Sequence, residues 1–204
     1  MAKKMTPMHA KRLAHLAIFL ATVKPKKFDL SAWAEHDGVI DEGDKKVLGI
    51  DQALRHKTDC KITPTADQLA HTCGTTACAL GWAGSLPEFQ KEGLQLVIPV
   101  RKICAPDNTH TEILWAHVKY KSAGKRPMKD FKAGEAFFGL TSEQSLYLFD
   151  PIYYDRRYPL PVDVTDRIEE MLRDEGYKAL ANKVAKCPRY RPWKNQYGRG
   201  LSLR

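Results

Sequence analysis

Apolar residues recur every three or four positions along most of this chain, and polar residues fill the opposite side of each repeat. The periodicity predicts helices over residues 7–23, 47–54, 129–138, 142–149, 162–175 and 177–185, with others after Thr65 and Gly74. Thr6-Pro7 is a typical helix start, because the hydroxyl caps and the proline fits the first turn. The segments that begin at Thr65 and Thr141 read as capping boxes, and Gly139 suits a helix end.

Strand signals are weaker than helix signals in this sequence. Residues 94–100 form the best strand candidate, and Pro99 predicts that it lies at an edge or in a short hairpin. Residues 113–120 alternate imperfectly, so they either pair with that strand or are helical. Residues 37–46 and 58–65 are predicted loops, and 119–132 is a predicted basic loop.

The predicted fold class is therefore mainly α, a single helical domain with a small β element and basic N- and C-terminal segments. Residues 1–186 form the helical domain with its amphipathic, basic N-terminal helix. Residues 187–204 form a basic, aromatic C-terminal tail.

Charge is spread unevenly along the chain. Residues 1–27 and 176–204 together hold fifteen of the 33 basic residues and no acidic residue. All 24 acidic residues lie between these ends, where they outnumber the other 18 basic residues. The predicted exposed side of the first helix holds Lys11, Arg12 and His15. We interpret the two basic ends as surfaces for nucleic acid or for an acidic partner.

Several classes of protein do not fit the composition. The chain has no run of about 18 apolar residues, so no membrane-spanning helix is predicted. Residues 11–23 lack a signal-peptide cleavage site and are interpreted as part of the fold. The odd number of cysteines favours a reducing compartment; they are Cys60, Cys73, Cys78, Cys104 and Cys187. Their spacing contains no Cys-x-x-Cys pair, and we predict no metal and no cofactor.

Residues 71–89 are the most distinctive stretch. Gly74 is predicted to break the chain, and Thr75 or Thr76 to cap the helix that follows. Small residues on one side of that helix predict a close backbone approach to a neighbouring helix; these are Ala77, Gly81 and Gly84.

Cys73 lies just before this helix, where the helix dipole stabilises a thiolate. A cysteine-dependent enzyme would take His110 or His117 as its base. Alternatively, Cys73 and Cys78 bind metal, or they are small buried residues at a tight helix entry. The buried interpretation is favoured, which makes this a structural motif; its members are Cys73, Gly74, Thr75, Cys78, Gly81 and Trp82.

Two motifs together resemble a known family. The first is Cys-Gly-Thr-x-x-Cys-x-x-Gly-Trp-Ala from Cys73 to Ala83, and the second is Gly-Leu-Thr-x-Glu-Gln from Gly139, followed by Leu148-Phe149. In this order they are similar to an uncharacterised family of small proteins from tailed bacteriophages and bacteria. The resemblance implies a phage-encoded protein in the host cytoplasm or in the virion. It implies no mechanism.

Residues 131–149 also invite a helix-turn-helix interpretation. The second helix would then read DNA, but it carries Glu143 and no lysine or arginine. A groove-reading helix needs donors for phosphates and base edges. A helical hairpin in the core is therefore preferred.

The tail alternates basic residues with aromatic rings, which neutralise phosphates and stack on unpaired bases. The alternative is that the tail lies on the acidic middle of its own chain. With two residues of the basic loop, the candidate binding residues are Lys125, Arg126, Arg189, Tyr190, Arg191, Trp193, Lys194, Tyr197 and Arg199. The leading hypothesis is a non-enzymatic, phage-encoded protein that binds nucleic acid or an acidic macromolecule. A virion or assembly component whose basic arms dock neighbouring subunits comes second, and an enzyme that uses Cys73 third.

Overall fold

The computed structural model describes residues 5–31, 35–36, 40, 42–55, 57–72, 75–104, 109–114, 116–122, 124, 126–155 and 158–188. The helices are α1 (Pro7–Leu20), α2 (Glu42–Leu48), α3 (Ile50–Leu54), α4 (Ala66–His71), α5 (Ala79–Ser85), α6 (Pro87–Lys91), α7 (Asp130–Phe138), α8 (Ser142–Phe149), α9 (Pro161–Asp174) and α10 (Lys178–Ala185). The strands are β1 (Glu35–His36), β2 (Asp59–Ile62), β3 (Thr75–Thr76), β4 (Leu94–Cys104), β5 (Thr109–Ile113), β6 (His117–Tyr120) and β7 (Met128–Lys129).

A five-stranded antiparallel sheet makes this a mixed α/β fold, and the prediction of a mainly α domain is wrong. The strand order is β2-β4-β6-β7, and β5 pairs with β4 beyond the end of β6. A separate two-stranded ladder joins β1 to β3. The sheet was underestimated because β2 lies in a predicted loop, and because β4 runs on to Cys104.

Strand β4 is central, so the prediction from Pro99 of an edge strand is wrong, while its alternative, a hairpin, agrees with the antiparallel pairing of β4 with β5. One side of β4 pairs with β2. On the other side, residues 94–97 pair with β6 and residues 100–104 with β5. Pro99 lies at the break between these two partners, where its carbonyl accepts from the Leu114 N–H at 2.9 Å. A residue without an N–H fits there because the pairing is already interrupted.

The predicted helix starts in the described part are mostly confirmed. Thr6 caps α1 by accepting from the His9 N–H, and Thr65 and Thr141 complete capping boxes at α4 and α8. Gly139 ends α7 with a left-handed φ of 67°. Predicted helix 47–54 is divided at Gly49, which also has a left-handed φ of 67°, into the end of α2 and all of α3. Helix α2 begins at Glu42, so the prediction of a loop over 37–46 is partly wrong.

The core lies between the inner face of the sheet and a layer of helices that surrounds α1. Helix α1 packs against α5, α7, α9 and α10. The ring of Phe89 meets those of Phe137 and Phe138 edge-on, with centroids 5.0 and 5.8 Å apart. Alternate residues of β4 from Leu94 to Val100 are buried against this layer. On the opposite face, Val97 is also buried, and the exposed side chains lie towards the sheet margins.

Candidate nucleic-acid interface

The outer face of the sheet carries basic side chains from three strands. Val118 of β6 and Ile62 of β2 are buried, so their neighbours in each strand point to the opposite face. That rule places His117 and Lys119 on the outer face, with Lys61 two strands away. Lys129 of β7 lies directly opposite Lys119. We call these four residues, Lys61, His117, Lys119 and Lys129, the sheet cluster.

Lys119 and Lys129 form a cross-strand pair of like charges. Side chains at such positions are about 5 Å apart at Cβ, and like charges there are destabilising. Lys129 is exposed and Lys119 is partly buried. Within the described ranges, the ion pairs include neither of these lysines, nor Lys61. This cluster therefore presents an excess of positive charge, with the Asp130 carboxylate as a partial counter-charge beside it.

His117 lies among these lysines and responds to them. Partial burial lowers the pKa of His117 below its usual value of 6.5. The charges of Lys129, Lys61 and Lys119 lower this pKa further, while Asp130 acts in the opposite direction. His117 is therefore neutral at pH 7, and an anion bound beside it would favour its protonated form.

Asp130 is the carboxylate nearest to this cluster in the chain. It is the first residue of α7 and has a left-handed φ of 54°, which aspartate tolerates better than most residues. Its Oδ1 atom is buried and accepts no hydrogen bond from the described residues. The positive φ turns the chain sharply from β7 into α7, directly after Lys129.

The segment between β6 and β7 extends the basic surface. Lys121 and Arg126 are exposed there, and Lys125 lies outside the described residues. The Lys121 N–H donates to the Gly93 carbonyl at 3.1 Å. A Cβ atom on Gly93, whose φ is 96°, would lie 2.6 Å from the Lys121 carbonyl oxygen. Gly93 thus allows the close contact that fixes the start of this segment.

The N-terminal basic residues differ from the sheet cluster, because one of them is buried. The prediction that Lys11, Arg12 and His15 form an exposed face is therefore partly wrong. Arg12 is 9% exposed, and its Nε donates to Glu92 Oε2 at 2.8 Å. Its Nη1 donates to the Phe137 carbonyl at 2.6 Å, and its guanidinium lies 4.1 Å from the centroid of the Phe137 ring. Lys11 and His15 are exposed as predicted. Arg12 stabilises the fold and is not available to a partner.

The helix in residues 71–89 begins later than predicted. Thr75 and Thr76 form strand β3 instead of a cap, and the cap of α5 is Cys78, whose Sγ accepts from the Gly81 N–H at 3.3 Å. Trp82 is buried, and its Nε1 donates to the Lys27 carbonyl at 3.1 Å. A thiol is an unusual cap, which is why the threonines were preferred.

At Gly84, α5 approaches a strand, whereas the sequence predicted a helix as the neighbour of its small residues. A Cβ atom on Gly84 would lie 2.5 Å from the backbone nitrogen of Leu96 in β4. Only a residue without a side chain allows the backbones of α5 and β4 to come so close. This contact holds the inner face of the sheet against the core.

The described residues bear on only part of the two cysteine hypotheses, catalysis by Cys73 and metal binding by Cys73 and Cys78. Burial raises the pKa of the Cys78 thiol to about 12, so Cys78 is held protonated. Cys73 and Gly74 lie outside the described residues, so the proposed nucleophile cannot be related to His110 or His117. His110 is on β5, where its Nε2 lies 3.0 Å from Glu112 Oε1. No group of three or more His, Cys, Asp or Glu in the described part could hold a metal ion.

Helices α7 and α8 form a hairpin in the core. The sequence analysis preferred this arrangement to a helix-turn-helix that binds DNA. Phe137, Phe138, Leu148 and Phe149 are buried, and Glu143 is exposed at the start of α8. The helix presents no basic side chain for a groove.

Of the nine predicted binding residues, Arg126 alone falls within the described part of the chain, where it is exposed. The other eight are Lys125 and the seven tail residues from Arg189 to Arg199, and they stay predictions. Sequence reasoning noted Lys119 and Lys129 as members of a basic loop but did not select them, and it missed Lys61. The alternation of Lys61 with the buried Ile62 is a weak strand signal that could have pointed to it.

Comparisons of the chain with protein-family models, with curated proteins and with solved structures give no match. The resemblance to phage and bacterial proteins, and the origin and location that it implies, therefore stay predictions. In the described ranges, no helix is long and apolar enough to cross a membrane.

Proposed function

We propose that the protein binds single-stranded nucleic acid along the outer face of its sheet. The observation that carries this proposal is the sheet cluster, in which Lys119 and Lys129 lie directly opposite each other. Two like charges in register cost stability, and a bound phosphate would offset that cost by neutralising both. The proposal keeps the prediction that a basic surface binds nucleic acid, but it places the centre of that surface on the sheet instead of at the chain ends.

The form of the surface favours a single strand over a duplex. Duplex readers usually insert a helix or a ribbon into a groove. Here the cluster is spread over β2, β6 and β7 of one sheet face, and the exposed part of α8 is acidic or neutral. Open sheet faces with basic residues suit a flexible backbone that can follow them. The rings needed for base stacking would come from Tyr190, Trp193 and Tyr197 of the tail.

Fluorescence anisotropy with a labelled single-stranded RNA or DNA oligomer tests the proposal. The variant carries Lys119→Gln and Lys129→Gln, which keep a polar side chain about one methylene shorter and remove two charges. We expect weaker binding and a flatter dependence of log K on log salt, by about 0.7 for each phosphate that the variant no longer neutralises.

The matched control carries Lys178→Gln and Lys183→Gln, two exposed lysines of α10. This variant has the same net charge, so it measures the general loss of attraction. If both double variants weaken binding equally, or if the full-length protein binds neither oligomer, the proposed function is wrong.

A further inference from the structure

An open groove lies between the segment that follows α1 and the segment that links α8 to α9. It consists of two adjoining cavities of about 370 and 140 Å³, whose walls share Ser31 and Pro151. Most of the lining is aromatic, aliphatic or proline side chains, from the segments around Phe28 and Pro151. The groove is thus suited to an apolar or aromatic side chain.

The segment beside this groove is unusually apolar at its surface. Ile152, Tyr153 and Tyr158 are 79%, 48% and 72% exposed. They account for three of the four exposed large hydrophobic side chains in the described residues. Clusters of this kind next to a groove mark interaction sites, whereas single exposed apolar residues are ordinary.

The polar part of the groove is acidic. Asp29 Oδ1 accepts from the Ser31 N–H at 2.8 Å, and Asp150 Oδ1 accepts from the Ile152 N–H at 3.0 Å. In the described part of the chain, the hydrogen bonds to these two side chains use Oδ1 in each case. Each carboxylate therefore keeps its Oδ2 for a basic group. An occupant with both rings and positive charges fits this chemistry.

The last described helix, α10, runs towards the segment that lines the groove. The Tyr177 hydroxyl donates to the Met5 carbonyl at 2.7 Å, so α10 begins beside the start of α1. Thr165 Oγ1 lies 3.4 Å from the Ala17 carbonyl, so α9 begins beside the end of α1. Helix α10 packs along both helices and runs towards the start of α9, which lies two residues after the groove residue Pro159.

We infer that residues 189–204, the part of the C-terminal tail beyond the described residues, dock in this groove of their own chain. The tail holds five basic residues, three aromatic rings and no acid. Packed helices are about 8–10 Å apart, and sixteen extended residues span up to about 50 Å, so the tail reaches the groove easily. Trp193, with basic residues on both sides, is the ring that fills the groove, while the neighbouring charges meet Asp29 and Asp150.

This inference does not depend on the proposed function, because it concerns the protein without nucleic acid. If both hold, docking withdraws the stacking rings from the sheet surface, and nucleic acid competes with the groove for the tail. Docking would then lower affinity, and loss of the groove carboxylates would raise it.

Fluorine NMR of the full-length protein labelled with 5-fluorotryptophan tests the docking without nucleic acid present. The Trp193→Phe variant assigns the Trp193 resonance among the four tryptophans. We expect this resonance to be broad and to show a small shift between H₂O and D₂O, as for a shielded ring. Asp29→Asn with Asp150→Asn should narrow the line and raise the solvent shift to that of free 5-fluorotryptophan.

The control variant carries Asp51→Asn and Glu143→Gln, which remove the same charge from exposed helix starts. Its Trp193 resonance should match that of the wild type. A Trp193 ring that is fully exposed in the wild type overturns the inference, and so does an equal response in the control. A signal that changes with protein concentration, together with a dimer in sedimentation, would assign the groove to the tail of a second copy and overturn docking within one chain.

Discussion

The two basic regions in the described part of the chain use their charges in opposite ways. In the N-terminal region, Arg12 is buried against Glu92 and Phe137, and the Lys27 ammonium donates to the Thr72 carbonyl. In the sheet cluster, Lys119 and Lys129 lie directly opposite each other, and the salt bridges among the described residues include neither of them. The first region uses positive charge to hold elements together, and the second exposes it at a cost in stability.

The difference teaches that local charge density does not identify a binding surface. The N-terminal region has no acid within 27 residues, yet its partners Glu92 and Thr72 come from distant parts of the chain. The sheet cluster is diluted in sequence, and the pairing of β2, β4, β6 and β7 assembles it. Whether a basic residue is available to a partner therefore depends on tertiary contacts. Mutations in the two regions should distinguish charges that stabilise the fold from charges that are exposed for binding.

The largest effect is expected at Arg12. Arg12→Met removes the partner of Glu92 and a donor to the Phe137 carbonyl, and it leaves both acceptors in the protein. Breaking a fully buried ion pair costs about 3–5 kcal/mol; because the Glu92 side chain is 42% exposed, we expect a loss of about 2–3 kcal/mol. Urea unfolding measures it, and the folded variant should bind nucleic acid as the wild type does.

Lys11→Met is the matched control for this change, since Lys11 is the exposed neighbour of Arg12 on α1. Its free energy of unfolding should stay within about 0.5 kcal/mol of the wild type. If Arg12→Met is equally mild but weakens binding, Arg12 belongs to the interface and the contrast between the regions fails.

Local signals predicted the helices well and the sheet poorly. The capping boxes at Thr65 and Thr141 and the glycine at 139 act within one or two turns, so the sequence alone reveals them. Strand β2 depends on pairing with residues 98–101, almost forty positions away, and its own four residues bury only Ile62. Pairing at that distance leaves little trace in a short window.

The candidate site was predicted only in part, because local composition reveals some of its residues and distant strand pairing brings in the others. The basic loop that contains Arg126 can be predicted from its local excess of basic residues. The opposition of Lys119 and Lys129, and the placement of Lys61 on the same face as His117, follow from strand register. The burial of Arg12 follows from a tertiary contact with Glu92, so its helical periodicity could not distinguish a core arginine from a surface one.

A smaller effect of opposite sign is expected in the sheet cluster. Lys119→Gln with Lys129→Gln relieves a like-charge pair, so the free energy of unfolding should rise by about 0.2–1 kcal/mol. The gain should shrink in high salt, which screens exposed charges. Urea unfolding at low and high salt measures it. A clear loss of stability would mean that the two lysines have structural partners, as Arg12 has.

The smallest effect concerns pH and isolates His117. Burial and the three lysines lower the pKa of His117 in the folded state, while in the unfolded chain it stays near 6.5. The unfolded state therefore binds more protons between that value and the folded pKa, so stability should fall as the pH drops below 6.5. Affinity for nucleic acid should instead rise as the pH drops, because a phosphate beside His117 favours its protonated form and binding takes up a proton.

His117→Gln should flatten both pH profiles, whereas His71→Gln, at an exposed position on α4, should leave them as they are. Unfolding and anisotropy measured between pH 7.5 and 5.5 test both signs together. If stability and affinity fall together and His117→Gln changes neither profile, His117 is not part of the surface that meets the phosphates.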